Sequence, residues 1–192
     1  GAHRIGYLMY NRFYPNYESQ LNAAFGSLKA QNITELVLDL RYNSGGSVAT
    51  ATRLASMITG QFQNQVFAKE QWNAKIEDYY NASNPSGLFN LFTTKLGNNE
   101  TISSLNLTKI YILTTKSTAS ASELIINGLK PYINVVQIGD ATVGKNVGSI
   151  TLYDSPSFGK ENRSTKHRYA MQPLVLKIVN KLGFGDYTTS FA

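Results

Sequence analysis

Three short polar stretches each follow an apolar, strand-like run. They are Asn43-Ser44-Gly45-Gly46 after ELVLDLR, Thr118-Ala119-Ser120-Ala121-Ser122-Glu123 after KIYILTT, and Thr142-Val143-Gly144-Lys145 after VVQIG. If the three runs are parallel neighbours in one sheet, their ends deliver a glycine turn, a serine and a lysine to one edge. Those are the parts of nucleophilic acyl chemistry: a hydroxyl to attack a carbonyl, an amine to take its proton, and backbone N–H groups to hold the resulting oxyanion.

Ser120 stands where a helix is expected to start. Unpaired N–H groups cluster there and the helix dipole favours developing negative charge. Small neighbours let a carbonyl approach, and the Ala121 amide is a candidate oxyanion donor. The plainer alternative makes Ser120 and Ser122 capping hydroxyls. A nucleophilic serine needs a base. The two histidines are poorly placed, His3 near the terminus and His167 in a basic polar loop. Lys145, in a glycine turn after a strand, is expected to turn inward and act as that base, as in serine–lysine hydrolases. The role calls for desolvation, with Val143 and Val147 expected as an apolar wall. Its plainer alternative is a solvated turn lysine. Gly45 and Gly46 permit positive φ and offer a second oxyanion donor, but their spacing does not fit a phosphate-binding Gly-x-x-x-x-Gly-Lys loop. Asp39, inside an apolar run, needs a partner, and a structural ion pair or amide hydrogen bonds fit better than base chemistry. Glu123 is expected to cap the helix or order the Ser120 loop.

The elements that must position these residues follow from periodicity. Ile5–Tyr10 reads as a strand. Tyr17–Ala30 reads as a helix, with Leu21, Ala24, Phe25 and Leu28 on one face. Leu36–Leu40 is a buried strand, and Val48, Ala51, Leu54, Ala55 and Ile58 mark a second helix ended by Gly60. The pattern weakens over 61–106, which is expected to be an irregular insertion in the core. Within it Gln65–Lys69 reads as a strand, Trp72–Tyr80 as a strand or short helix, and Leu88–Leu96 as a helix fragment. Lys109–Thr115 is a strand, Ser120–Lys130 a helix stopped by Pro131, and Val135–Gly139 a strand. Met171–Val179 holds a proline and suits an edge or irregular strand. The alternation predicts an α/β domain with a partly parallel sheet flanked by helices.

Composition narrows the classes. The chain has 192 residues, 42% of them hydrophobic, enough for one domain with a sizeable core. It has no cysteine, hence neither disulfide nor thiolate site, and two histidines alone cannot build a multi-histidine metal site. No apolar run reaches the length of a membrane span. The net charge of +6 comes from scattered lysines and arginines, with a modest cluster at Lys160, Arg163, Lys166, His167 and Arg168. That cluster reads as a solvated loop, and no nucleic-acid partner is expected.

Taken together, the blocks Leu38-Asp39-Leu40-Arg41-Tyr42-Asn43-Ser44-Gly45-Gly46, Thr118–Glu123 and Val143-Gly144-Lys145 resemble, in order and spacing, the signature of the C-terminal processing, or tail-specific, serine peptidases. The resemblance covers nearly the whole chain. It implies a crotonase-like (ClpP/crotonase-type) core, with Ser120 as nucleophile, Lys145 as general base, and oxyanion donors from the Gly45-Gly46 turn and the Ala121 amide. It implies no cofactor, and a polypeptide substrate that is unfolded or C-terminal. It also implies an exported location, periplasmic or associated with the cell envelope, although the chain shows no targeting segment. Many members continue the lysine block as Gly-Lys-Gly with a glutamine four residues after the lysine. Here Asn146 and Ser149 occupy those positions, and Ser149 is expected to support Lys145 across a shorter reach. Related secreted proteins of Bacteroides-like bacteria carry a similar Gly-Lys-Asn-Val-Gly form. The PDZ-like domain common in the family is not recognisable, so residues 1–192 are expected to be a catalytic-domain fragment. Rival readings are a non-catalytic module that grips peptides by strand addition and an acyl-thioester enzyme, for which no nucleotide or pantetheine site is evident.

Overall fold

In the computed structural model, which describes residues 3–188 and 191, the chain begins β1 (Ile5–Met9), α1 (Glu18–Ala30), β2 (Glu35–Asp39) and α2 (Val48–Thr59). It continues β3 (Val66–Gln71), α3 (Ala74–Ser83), β4 (Phe89–Leu91), β5 (Lys109–Thr114) and α4 (Ala121–Leu129). The last elements are β6 (Asn134–Gly139), β7 (Val147–Ser149), β8 (Leu152–Tyr153), β9 (Ala170–Met171) and β10 (Leu174–Asn180). The strands β1, β2, β5 and β6 form one parallel sheet in the order β1-β2-β5-β6. Parallel neighbours need crossovers, and α1 and α4 supply those between β1 and β2 and between β5 and β6. The register aligns Leu38 with Ile112, and Asp39 with both Met9 and Leu113. The chain therefore leaves β2, β5 and β6 at the same edge, which carries the three polar stretches.

Alternation of side chains along the strands sorts the sheet's two faces. Leu36, Leu38, Ile110 and Ile112 are fully buried beneath the helices. Ile5, Tyr7, Met9 and Ile138 point the other way and are exposed. Helix α2 is capped by Ser47, whose hydroxyl accepts the Thr50 N–H at 3.2 Å. Helix α4 has all nine residues buried, because α2, β10, β6 and β3 all pack against it.

The crotonase-like core expected from the sequence is corrected here. The strands after Lys145 do not extend the parallel sheet. Instead β10 pairs antiparallel with β3 and β7, giving a separate four-stranded sheet in the order β4-β3-β10-β7. A short β8–β9 ribbon continues beyond the β7–β10 pairing. The 61–106 stretch supplies two of those strands. Leu88–Leu96 is not a helix fragment but a 3-10 turn at Pro85–Leu88 running into β4, which β3 holds in place by pairing. Trp72–Tyr80 resolves in favour of helix α3, whose start is capped by Asn73 accepting the Ile76 N–H at 3.1 Å.

Candidate active site

Ser120 occupies the N-cap of α4 with φ 59° and ψ −114°, a region that non-glycine residues avoid. The surroundings hold it there. Gly45 lies so close that a Cβ on it would meet the Ser120 Cβ at 2.7 Å and the Ala119 carbonyl oxygen at 2.8 Å. Only glycine, here at φ 100°, lets the first loop come this near. Asn43, fully buried, fixes the approach. Its side chain donates to the Tyr10 carbonyl at 2.8 Å and accepts the Gly45 N–H at 2.9 Å. Its own carbonyl accepts the Ala119 N–H at 3.2 Å and the Ser122 hydroxyl at 2.8 Å.

The serine and lysine loops are joined through Glu123, which is 0% exposed. One carboxylate oxygen accepts the Ser120 N–H at 2.7 Å and the Lys145 N–H at 2.9 Å. The other accepts the Thr142 hydroxyl at 2.6 Å and the Gly144 N–H. Four donors offset the cost of burying the carboxylate. The backbone nitrogens of residues 120 and 145 therefore lie no farther apart than two hydrogen bonds laid end to end. A further bond, from the Val143 N–H to the Thr118 carbonyl at 3.0 Å, closes the seam. Behind it Tyr187 is buried, and its phenol is held well above the ordinary range, by burial first and then by the Glu123 charge.

The side chain of Lys145 is exposed, and among the described residues its amine bonds neither Ser120 nor Ser149. The expected apolar wall is not assembled: Val143 is 51% exposed and Val147 is half-buried. Ser149 lies at the end of β7, opposite Leu174. Of the candidate oxyanion donors, the Gly45 N–H is occupied by Asn43. The N–H groups of Gly46 and Ala121 have no acceptor among the described residues. His167 lies away on the β8–β9 ribbon, 3.2 Å from Asp154. Asp39 is a structural ion partner. Arg41 grips it through Nη2 at 2.7 Å and its N–H at 3.1 Å, and Tyr7 donates to it at 2.6 Å. The Arg41 hydrogen bonds hold its carboxyl down to about 2.

Sequence reasoning missed four residues that assemble this edge. Asn43 and Thr118 carry no signal beyond their place in polar loops. The Thr118 hydroxyl reaches back to the Leu40 carbonyl at 2.9 Å. Thr142, besides binding Glu123, donates its N–H to the Phe191 carbonyl at 3.1 Å and accepts the Phe191 N–H on its hydroxyl at 3.1 Å. Asn146 stood out as a departure from the family pattern, and its place in the fold gives it a structural role. It is buried and donates to the Gly185 carbonyl at 2.6 Å.

With this geometry in hand, comparison with known proteins is informative. Residues 4–168 match peptidase family S41, and the chain belongs to that family. Among curated relatives it is 28% identical over 147 residues to a protein of Staphylococcus epidermidis named "Probable CtpA-like serine protease", covering 77% of this chain and 26% of that protein. It is 30% identical over 142 residues to carboxyl-terminal-processing peptidase 2, chloroplastic, of Arabidopsis thaliana, covering 74% and 24%. The chain thus spans about a quarter of the length of these relatives. A crystal structure from Bacteroides fragilis, named as an S41 protease, superposes with TM-score 0.80 at 31% identity, covering 97% of this chain and 45% of that one. The photosystem II D1 C-terminal processing protease shares the fold at TM-score 0.65 and 19% identity, covering 98% and 41%. The resemblance to C-terminal processing peptidases is therefore sound. Its fold is that of the S41 proteases, and the crotonase-type assignment is withdrawn.

Proposed function

We propose that this chain is the nucleophile-bearing part of a serine endopeptidase that cuts polypeptides, near their C-termini, through an acyl-enzyme. The observation that carries the reading is the single Glu123 carboxylate that draws the backbone of Ser120 and of Lys145 to one point, at the N-terminus of a buried helix. In this reading the neutral Lys145 amine removes the Ser120 proton as Oγ attacks the scissile carbonyl. The N–H groups of Gly46 and Ala121, free of other acceptors among the described residues, receive the oxyanion, while Gly45 gives the close approach. The C–N bond then breaks, and the lysine returns its proton to the departing amine. Water attacks the ester, Lys145 takes its proton and passes it to Ser120 Oγ as the acyl C–O bond breaks, which releases the new C-terminal acid and restores the serine. Glu123 is a positioning residue, and Ser149 is a lesser support for the lysine.

The exposure of Lys145 leaves its desolvation to the substrate. A polypeptide strand lying over the lysine supplies the apolar cover that Val143 and Val147 do not. The same exposure favours a second reading, a module that binds peptides on this scaffold without cutting them. Labelling of Ser120 by a fluorophosphonate, and turnover of an unstructured protein that is lost in Ser120→Ala and Lys145→Ala with melting curves unchanged, support the peptidase. Undiminished turnover in Lys145→Ala overturns the dyad, and peptide binding without labelling supports the second reading. Among the described residues no helix is long and apolar enough to cross a membrane. The periplasmic or envelope location that the family resemblance implies is part of this reading, and fractionation of the source cells tests it.

A further inference from the structure

The segments β7–β10 and β8–β9 are successive parts of one hairpin. Ser149 pairs with Leu174, Leu152 with Met171 and Tyr153 with Ala170 in an unbroken register. Pro173, which has no N–H to donate, accounts for the interruption between them, and Gln172 still reaches Thr151 across it at 3.3 Å. This arm begins two residues after Lys145. Its tip encloses a cavity of about 420 Å3 lined by Tyr153, Arg163, Ser164, His167, Arg168 and Tyr169, with Asp154 on the wall.

The cavity is pre-arranged and cationic. The Ser164 N–H donates to the Asp154 carbonyl at 2.7 Å, closing the loop. The Arg163 guanidinium sits 5.8 Å over the Tyr153 ring. His167 is stacked on Tyr169 with centroids 6.0 Å apart, and it takes up the Asp154 carboxylate at 3.2 Å. Neither Arg163 nor Arg168 has an acidic partner among the described residues. The tip also carries Lys160 and Lys166, against Glu161 and the His167-bound Asp154. Two unpaired guanidinium forks in a cavity walled by aromatic rings match a planar carboxylate. Beside them an apolar hollow of about 250 Å3, lined by Leu152, Phe158, Ala170 and Met171, suits a hydrophobic neighbour.

We propose that the arm tip is a carboxylate-binding subsite for a polypeptide substrate, engaging an acidic side chain or the C-terminal carboxylate distal to the bond that is cut. The identity of the ligand as a peptide rests on the function proposed above; the pocket itself does not. At a strand rise of about 3.3 Å per residue, the eight residues from Lys145 to Tyr153 span at most roughly 26 Å. Adding the gap between the backbones of residues 120 and 145, no more than two hydrogen bonds long, an extended peptide reaching from the serine to the tip places its carboxylate about ten residues from the scissile bond at most.

The test uses Ser120→Ala protein, so that binding is read without turnover. Fluorescence anisotropy is measured with three labelled peptides of one apolar sequence. One is neutral with an amidated C-terminus, one is neutral with a free C-terminal carboxylate, and one is amidated with two internal glutamates. One or both carboxylate peptides are expected to bind about tenfold or more tightly than the neutral amide, weakening as salt rises. Which of them does so names the source of the carboxylate. Arg163→Gln and Arg168→Gln, both at exposed positions and checked by circular dichroism, are each expected to remove most of that preference. Equal affinity for all three peptides overturns the proposal. So does an acidic preference that survives both substitutions, or inorganic phosphate binding the tip more tightly than either carboxylate peptide. Absence of proteolysis by the unsubstituted protein, with carboxylate binding retained, strikes only the catalytic reading.

Discussion

Ser120 is held in a backbone conformation that costs on the order of 1–3 kcal/mol for a side chain with a Cβ, and the site puts its hydroxyl at that position nonetheless. Ser120→Gly is therefore expected to be more stable than Ser120→Ala, by about 1 kcal/mol in urea unfolding, with neither variant labelled by a fluorophosphonate. A reversed order shows that the turn is not strained. Glu123 offers a second contrast. Each of its carboxylate oxygens faces two donors, so a glutamine must aim its NH2 at two of them whichever way it is turned. Glu123→Gln is expected to cost about 1–3 kcal/mol and to slow Ser120 labelling by about tenfold or more. An unchanged labelling rate removes Glu123 from the positioning role. Asp39 sets a pH dependence. Its carboxyl is lowered from 3.8 to about 2 in the fold, so its stabilisation is complete above about pH 4 and is lost as pH falls towards 2. Because Arg41 is 40% exposed, the amplitude is discounted for solvent screening to about 1–2 kcal/mol. Asp39→Asn is expected to flatten the acid limb of the stability curve, and an unaltered limb contradicts this.

Among the elements, α4 is the one most tightly constrained. A Cβ on Gly128 would meet the Phe67 ring at 2.3 Å, so helix and β3 touch without a spacer. Gly128→Ala is expected to destabilise by about 1–3 kcal/mol through overpacking, although alanine favours helix; a neutral or stabilising result means that Phe67 moves aside freely. This contact was invisible in the sequence, where nothing pairs Gly128 with Phe67. The strands β1, β2, β5 and β6 and helices α1, α2 and α4 were legible because each carries its own period, apolar every second residue or every third and fourth. The three loops at one sheet edge followed from that order. The second sheet was not legible, since β4 and β7 are short and the central pairing of β3 with β10 spans more than a hundred residues, as Ala68 does with Asn180. In the site, Ser120, Lys145 and Gly45 could be named from residue type and place. The bonds made by Asn43, Thr142 and Asn146 could not, because a buried amide or hydroxyl reads in sequence like any loop residue.

At the scale of the molecule, rigidity is unevenly spread around the site. Ser120 caps a helix buried along its whole length between α2 and strands of both four-stranded sheets, whereas Lys145 begins the stretch leading into an arm whose tip is largely exposed. Of the two groups proposed to react, one thus belongs to the most protected part of the fold and the other stands at the root of its least protected part, with Glu123 joining the two. Hydrogen exchange by mass spectrometry is expected to show α4, β2 and β5 exchanging only through global unfolding, and residues 150–173 exchanging faster by several orders of magnitude. The backbone N–H of Lys145, bound to Glu123, is expected to follow α4 rather than the arm, and in Glu123→Gln to shift towards the arm's rate. If Lys145 exchanges with the arm in the parental protein, the carboxylate is not what keeps the two halves of the site together, and the approach of Lys145 to Ser120 must come from the bound polypeptide.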